Sequence, residues 1–182
     1  MLANDAEGSN PPIPFEVEGC LDIAHQAKEL LVQLTDEQYN YVAKPYLQSS
    51  IGQHMRHILD VFQSLMAWPA SSFIDYDKRR RQHPVEKDKS IALEEWGMIE
   101  QWVLGVSKEA LTSPLTVSGE VSLHQQVSPH ASTTLGRELS FVASHAIHHF
   151  ALLRVSLCAQ NIPTDHVFGL APTTASYYRR GS

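Results

Sequence analysis

The sequence predicts an all-α protein: a four-helix bundle with a long crossover between its second and third helices and a short hairpin before the fourth. Three observations carry this reading. Four long stretches place apolar residues at steps of three and four, convincing strand alternation is scarce, and prolines and polar clusters punctuate the intervals. The 182 residues, 43% hydrophobic and 19% charged with a net charge of −6, have the profile of one globular domain. Residues 1–14, with Pro11, Pro12 and Pro14, read as an extended arm, and residues 15–182 as the bundle and a C-terminal tail. A chain of this length buries roughly 70% of its unfolded surface, so it folds without a disulfide or a structural metal.

The first helix is expected over Val17 to Leu34, where Leu21, Ile23, Ala24, Ala27, Leu30, Leu31 and Leu34 form one stripe. The connection Tyr39 to Ser50 contains Pro45 and ends in two serines able to cap a helix by accepting backbone N–H bonds. The second helix follows from Ile51 to Ala67, with Ile51, Met55, Ile58, Phe62 and Leu65 on one face. After a polar loop, Ser90 is positioned to cap a third helix from Ile91 to about Leu111, which Pro114 ends. Leu115 to Val127 alternates loosely around Ser118-Gly119, as a short hairpin or irregular crossover does. Ser132 or Thr133 then caps the last helix, about Thr134 to Gln160, which Asn161 and Pro163 stop. The tail from Ile162 shows no clear periodicity and is expected to pack over the bundle or against a partner.

Several function classes find no support. The stretch Leu139 to Leu153, free of Asp, Glu, Lys and Arg, has fifteen residues, short of the roughly 18 a membrane span needs. The acidic, proline-rich N-terminus does not read as a secretory signal, so the cytoplasm is the expected location. Cys20 and Cys158 make no disulfide framework and are expected to be reduced core residues. The acidic balance argues against nucleic acid, and the basic run Lys78-Arg79-Arg80-Arg81 reads as a solvated loop rather than a phosphate site. No G-x-S-x-G, P-loop or dinucleotide fingerprint is present. Cys158 lies about 13.5 Å of helix beyond His149, too far for a cysteine nucleophile with that base.

The chemistry lies in the histidines. Of ten, five fall into two helical clusters. His145 and His149, at i and i+4, stand about 40° apart on the wheel and one turn apart along the axis, so two imidazoles can converge on one ion. His148 is turned toward the flank. On the second helix His54 and His57 lie at i and i+3, His54 closer to the apolar stripe and His57 at its edge, and the wheel does not choose between them as a third ligand. Spacing alone is weak evidence, because a lone core histidine is commonly an ordinary hydrogen-bonding residue; a second cluster on a separate helix strengthens it, since bundles build sites from facing helices. Three neutral imidazoles leave a divalent ion an open position, the pattern of catalytic rather than closed structural sites. Such ligands suit zinc, nickel, copper or iron(II). Glu138 lies on the same face but about 10.5 Å before His145, too far to ligate beside both histidines, and a structural pairing with Arg137 or Arg154 is expected. Asp60, one turn beyond His57, is a candidate to orient it, or else an exposed helix carboxylate.

The segments Ile51-Gly52-Gln53-His54-Met55-Arg56-His57-Ile58-Leu59-Asp60 and Ser144-His145-Ala146-Ile147-His148-His149 resemble the DinB-like family, in order and in helix placement over most of the chain. The resemblance implies a four-helix bundle with one histidine ligand on the second helix and an H-x3-H pair on the last. In that register the histidine followed by an apolar pair and an acid is the ligand, which selects His57, with His145 and His149; His54 and His148 are additional to the simplest pattern. It also implies a divalent ion, zinc or nickel first and iron or copper second, a homodimer, and a small-molecule substrate handled with water or a low-molecular-weight thiol by transfer, isomerisation or hydrolysis. The alternatives are a non-catalytic metal-binding or stress-related dimeric binding protein, and a dimeric interaction module whose histidines are ordinary buried hydrogen bonders.

Overall fold

A computed structural model describes residues 12–180; most of the expected N-terminal arm lies outside them. The described chain is mostly helical but carries a small sheet, which corrects the all-α expectation. The elements are α1 (Phe15–Gln33), α2 (Asp36–Asn40), α3 (Ile51–Leu65), β1 (Phe73–Asp75), α4 (Lys89–Leu104), β2 (Pro114–Ser118), β3 (His130–Thr134), α5 (Leu135–Ala159) and α6 (Pro172–Arg180). Short 3-10 turns cover Pro84–Glu86 and Glu109–Thr112.

The helix starts follow local chemistry. Thr35 with Gln38, and Ser50 with Gln53, form reciprocal capping boxes at α2 and α3, each satisfying two backbone donors that a helix leaves unpaired. Asp88, not Ser90, caps α4: its carboxylate accepts from the Ser90 N–H, so the helix begins two residues before the expected start. Thr134, just past Ser132 and Thr133, caps α5 by accepting from the Arg137 N–H. The third helix ends at Leu104 rather than near Leu111, and a 3-10 turn takes up the rest of the interval.

α1 and α3 each pack against α4 and α5, so the four long helices share one core. Its centre holds Trp96, Phe62, Phe150, Ile58 and Leu59, all fully buried. Trp96 meets Phe62 edge to face at 5.3 Å and donates its indole N–H to the Met55 Sδ at 3.1 Å. By length and composition α5 could cross a membrane. Here it is the helix against which α1, α3 and β3 pack, with Leu139, Val142, Ala146, Phe150 and Leu153 buried.

The expected hairpin around Ser118-Gly119 is replaced by a three-stranded sheet in the order β1-β2-β3. β2 pairs antiparallel with β3, Pro114 opposite Thr134 and Ser118 opposite His130, and parallel with β1, Phe73 opposite Thr116. The turn is thus a longer excursion than expected, and a strand from the polar loop joins it. In the tail, Phe168 is buried and stacks on Phe150 at 5.0 Å, and α6 forms where no periodicity was visible. Cys20 is a core residue, its thiol donating to the Leu139 carbonyl and pushed up to about 12 by burial; Cys158, contrary to expectation, is exposed.

Candidate metal centre

α3 and α5 run antiparallel along a shared seam, and their histidines meet there in two pairs. His57 Nε2 lies 3.0 Å from His145 Nε2, and His54 Nδ1 lies 3.1 Å from His149 Nδ1. His149 also touches His57 and His145, each at a ring-centroid distance of 4.7 Å. One nitrogen from each of His57, His145 and His149 falls within 4.8 Å of the other two. Each ring is partly buried, whereas His148 is exposed at the flank as expected.

Two bare nitrogen lone pairs repel at 3.0 Å, so each close pair must share a proton or face a cation. Protonating the rings outright is unfavourable. Burial, then the charge of Arg79, then His145 and Arg56 pull His57 down to about 4 against the opposing pull of Asp60. Burial and then His57, His145, His54 and His148 pull His149 down to about 3. His145 is lowered by burial, His148 and Arg79, and His54 by burial and His148. At neutral pH the cluster is therefore a set of neutral imidazoles, the form in which histidine ligates a metal. With imidazole–zinc bonds of about 2.0–2.1 Å, three nitrogens this close fit one divalent ion after small ring rotations.

Two buried polar networks flank the seam. Asp60 does not bond His57: its carboxylate is held by Arg56 Nη1 at 3.1 Å, Arg80 Nε at 2.6 Å and the Arg80 backbone N–H at 3.1 Å. Nor is it exposed. Arg80 also forks onto Glu95 through Nη1 at 2.7 Å and Nη2 at 2.8 Å, and Glu95 accepts from Gln63. The basic run is thus a clamp at Arg80 instead of a wholly solvated loop. Glu138 is buried and accepts from Arg137 at 3.0 Å, as expected, and also from Tyr76 Oη at 2.7 Å and Thr133 Oγ1 at 2.8 Å. The Tyr76 hydroxyl is pushed well above its usual range by burial and this bond. Its ring lies on Phe141 at 5.2 Å, and Phe141 lies on His145 at 5.9 Å. Nothing local in the sequence marks Tyr76, a loop tyrosine, or Glu95, a helix carboxylate, because their partners Glu138 and Arg80 come from other elements, 62 and 15 residues away; Phe141, one turn before His145, carries a local signal only in that spacing.

A cavity of about 780 Å³ lies elsewhere. It is lined by α1, α5 and the C-terminal segment, including Ile23, Gln26, Ala143, Ile147 and Phe168, and by none of the four seam histidines.

A helical chain with a three-histidine cluster between two core helices is of the kind that binds a metal ion. Residues 23–153 match the family model of the DinB superfamily, and the chain belongs to that superfamily. A 115-residue stretch, 62% of this chain, is 30% identical to FK506-binding protein 5 of Rhizopus delemar (strain RA 99-880 / ATCC MYA-4621 / FGSC 9543 / NRRL 43880). That match spans 30% of the fungal protein's length. No solved structure matches.

Proposed function

We propose that the protein is a metal-dependent enzyme of small-molecule chemistry, in which His57, His145 and His149 hold one divalent ion on a four-helix-bundle scaffold formed by α1, α3, α4 and α5. The observation that carries this is the approach of one nitrogen from each of the three rings to within 4.8 Å of the others. A bound zinc or nickel ion, or iron or copper, would supply a Lewis-acidic position able to lower the pKa of water toward ~7 or to take up a thiolate. The chain's own part is to keep three imidazoles neutral and aimed at one point, and to hold the seam between the Asp60 and Glu138 networks. Transfer to or from a low-molecular-weight thiol, isomerisation and hydrolysis are the reaction types this donor set supports. A homodimer in the cytoplasm, working on a small molecule and not on nucleic acid or a membrane, completes the proposal.

A non-catalytic metal-binding dimer is the second reading, favoured by the separation of the 780 Å³ cavity from the histidines. Elemental analysis of protein purified without a metal-affinity step tests both. About one ion per chain in the wild type, lost in His57→Ala and in His149→Ala and kept in His54→Ala, supports the triad; no metal in the wild type after ions are added back removes it. Uptake of a thiol by the cobalt-loaded protein, seen as a change in its visible spectrum, separates an open site from a closed one.

A further inference from the structure

Arg79 is the half-buried member of the basic run that makes no ion pair among the described residues. The loop that carries it is tied at both ends. Tyr76 is fixed to α5 through Glu138 and Phe141, and Arg80 is fixed to α3 through Asp60, one turn beyond His57. Residue 79 therefore crosses the seam between α3 and α5 at the end where His57 meets His145. The charges that act on the rings besides burial agree with this placement: the guanidinium acts on His57 and His145, while the charges acting on His54 and His149, farther along the seam, come from other histidines and not from Arg79.

The guanidinium is half-buried, and burial is the main influence on it. It donates to the backbone carbonyls of Tyr76 and Lys78. Among the described residues no carboxylate lies within ion-pair distance of it, although Asp60 and Asp77 act on it from farther off, whereas Arg56 and Arg80 beside it each engage two. A partly desolvated guanidinium has five donors in a planar fork, and two carbonyls do not use them. Beside the neutral imidazoles of His57 and His145 it places a positive charge at that end of the seam, and a divalent ion would add to that charge. The complementary ligand is an anion.

We propose that Arg79 binds an oxyanion, a carboxylate or a phosphate, on the molecule that enters the His57–His145–His149 site, so that the substrate class is a small anion. This rests on the metal-site reading for its reaction but not for its binding event. The test is titration calorimetry of the full chain with acetate, inorganic phosphate and the uncharged acetamide, at low ionic strength, on the wild type, Arg79→Gln, Arg79→Lys and the exposed neighbour Arg81→Gln. Zinc content and thermal midpoint are recorded for each. Acetate or phosphate is expected to bind the wild type about tenfold or more tightly than acetamide does. Arg79→Gln loses that preference, Arg79→Lys restores part of it, and Arg81→Gln retains it, at unchanged zinc content and midpoint. Tighter acetate than phosphate marks a carboxylate substrate, and the reverse marks a phosphate ester. Anion binding equal in the wild type and Arg79→Gln overturns the proposal. Arg79-dependent binding in a chain that holds no zinc would sink the metal reading and leave this one standing, while zinc held with Arg79-independent binding would do the opposite.

Discussion

The Nδ1 atoms of His54 and His149 lie 3.1 Å apart, and in the proposed site the tautomers of the two rings decide whether His149 can ligate. For His149 to offer Nε2 to an ion, its Nδ1–H must donate to His54 Nδ1, which puts the remaining proton of His54 on Nε2. That atom is buried and has no partner, an arrangement that costs about 1–3 kcal/mol. A metal that takes up His149 Nε2 would offset the cost by fixing the tautomer, so in the proposed site the role of His54 is to orient a ligand. His54→Ala is therefore expected to bind one zinc at saturation, but about 10–100-fold more weakly in a chelator competition titration; unchanged affinity would show that His54 orients nothing. The same geometry explains what the sequence could and could not reveal. The i, i+4 pair on α5 and the second cluster on α3 were visible in spacing. The choice between His54 and His57 was not, because both face α5 and each meets its own partner there. The surroundings of Asp60, and those of Glu138 beyond Arg137, are not legible in the spacing for a different reason: their partners Arg80 and Tyr76 come from a loop with no periodicity.

At the scale of elements, α3 is held in place by a close approach. A Cβ on Gly52 would stand 2.0 Å from the Glu86 carbonyl oxygen and 2.7 Å from the Tyr39 ring, so only glycine lets the 3-10 turn at Pro84–Glu86 lie on the first turn of α3. Gly52→Ala is expected to cost about 1–3 kcal/mol by overpacking, read from urea unfolding, because backbone rather than a flexible side chain must give way. The neighbouring clamp is electrostatic. Arg80→Ala strips Glu95 of its bidentate partner and Asp60 of one of its two arginines, both carboxylates being buried, and the expected loss is about 3–5 kcal/mol. Arg80→Lys should recover less than half of it, since an ammonium cannot fork across both carboxylates; a neutral result in either variant would make the clamp a surface feature. Elements with dense periodicity and serine, threonine or aspartate caps were legible to within a turn at most ends. The sheet was not, because its strands are three to five residues long and β1 joins β2 from 40 residues away. α6 escaped notice because it buries no residue and so shows no apolar stripe.

The whole molecule couples the histidine seam to folding. In the metal-free protein His57 and His149 stay neutral down to about 4 and about 3, while in the unfolded chain they protonate near 6.5. Below 6.5 the unfolded chain therefore binds more protons than the native one, and stability falls as the pH falls, with nothing lost above about 7. Each extra proton contributes a slope of about 1.4 kcal/mol per pH unit, so the two rings together steepen the profile by roughly 2–3 kcal/mol per unit near pH 5. Carboxylates titrate in the same window, and the difference between the wild type and His57→Gln/His149→Gln isolates the imidazoles. Urea unfolding of the metal-free chain from pH 7.5 to pH 4.5 should show the wild type losing stability much faster than the double variant. Parallel profiles would mean that the rings protonate in the native state without resistance, and that the seam is wetter and less able to present neutral ligands than its burial implies.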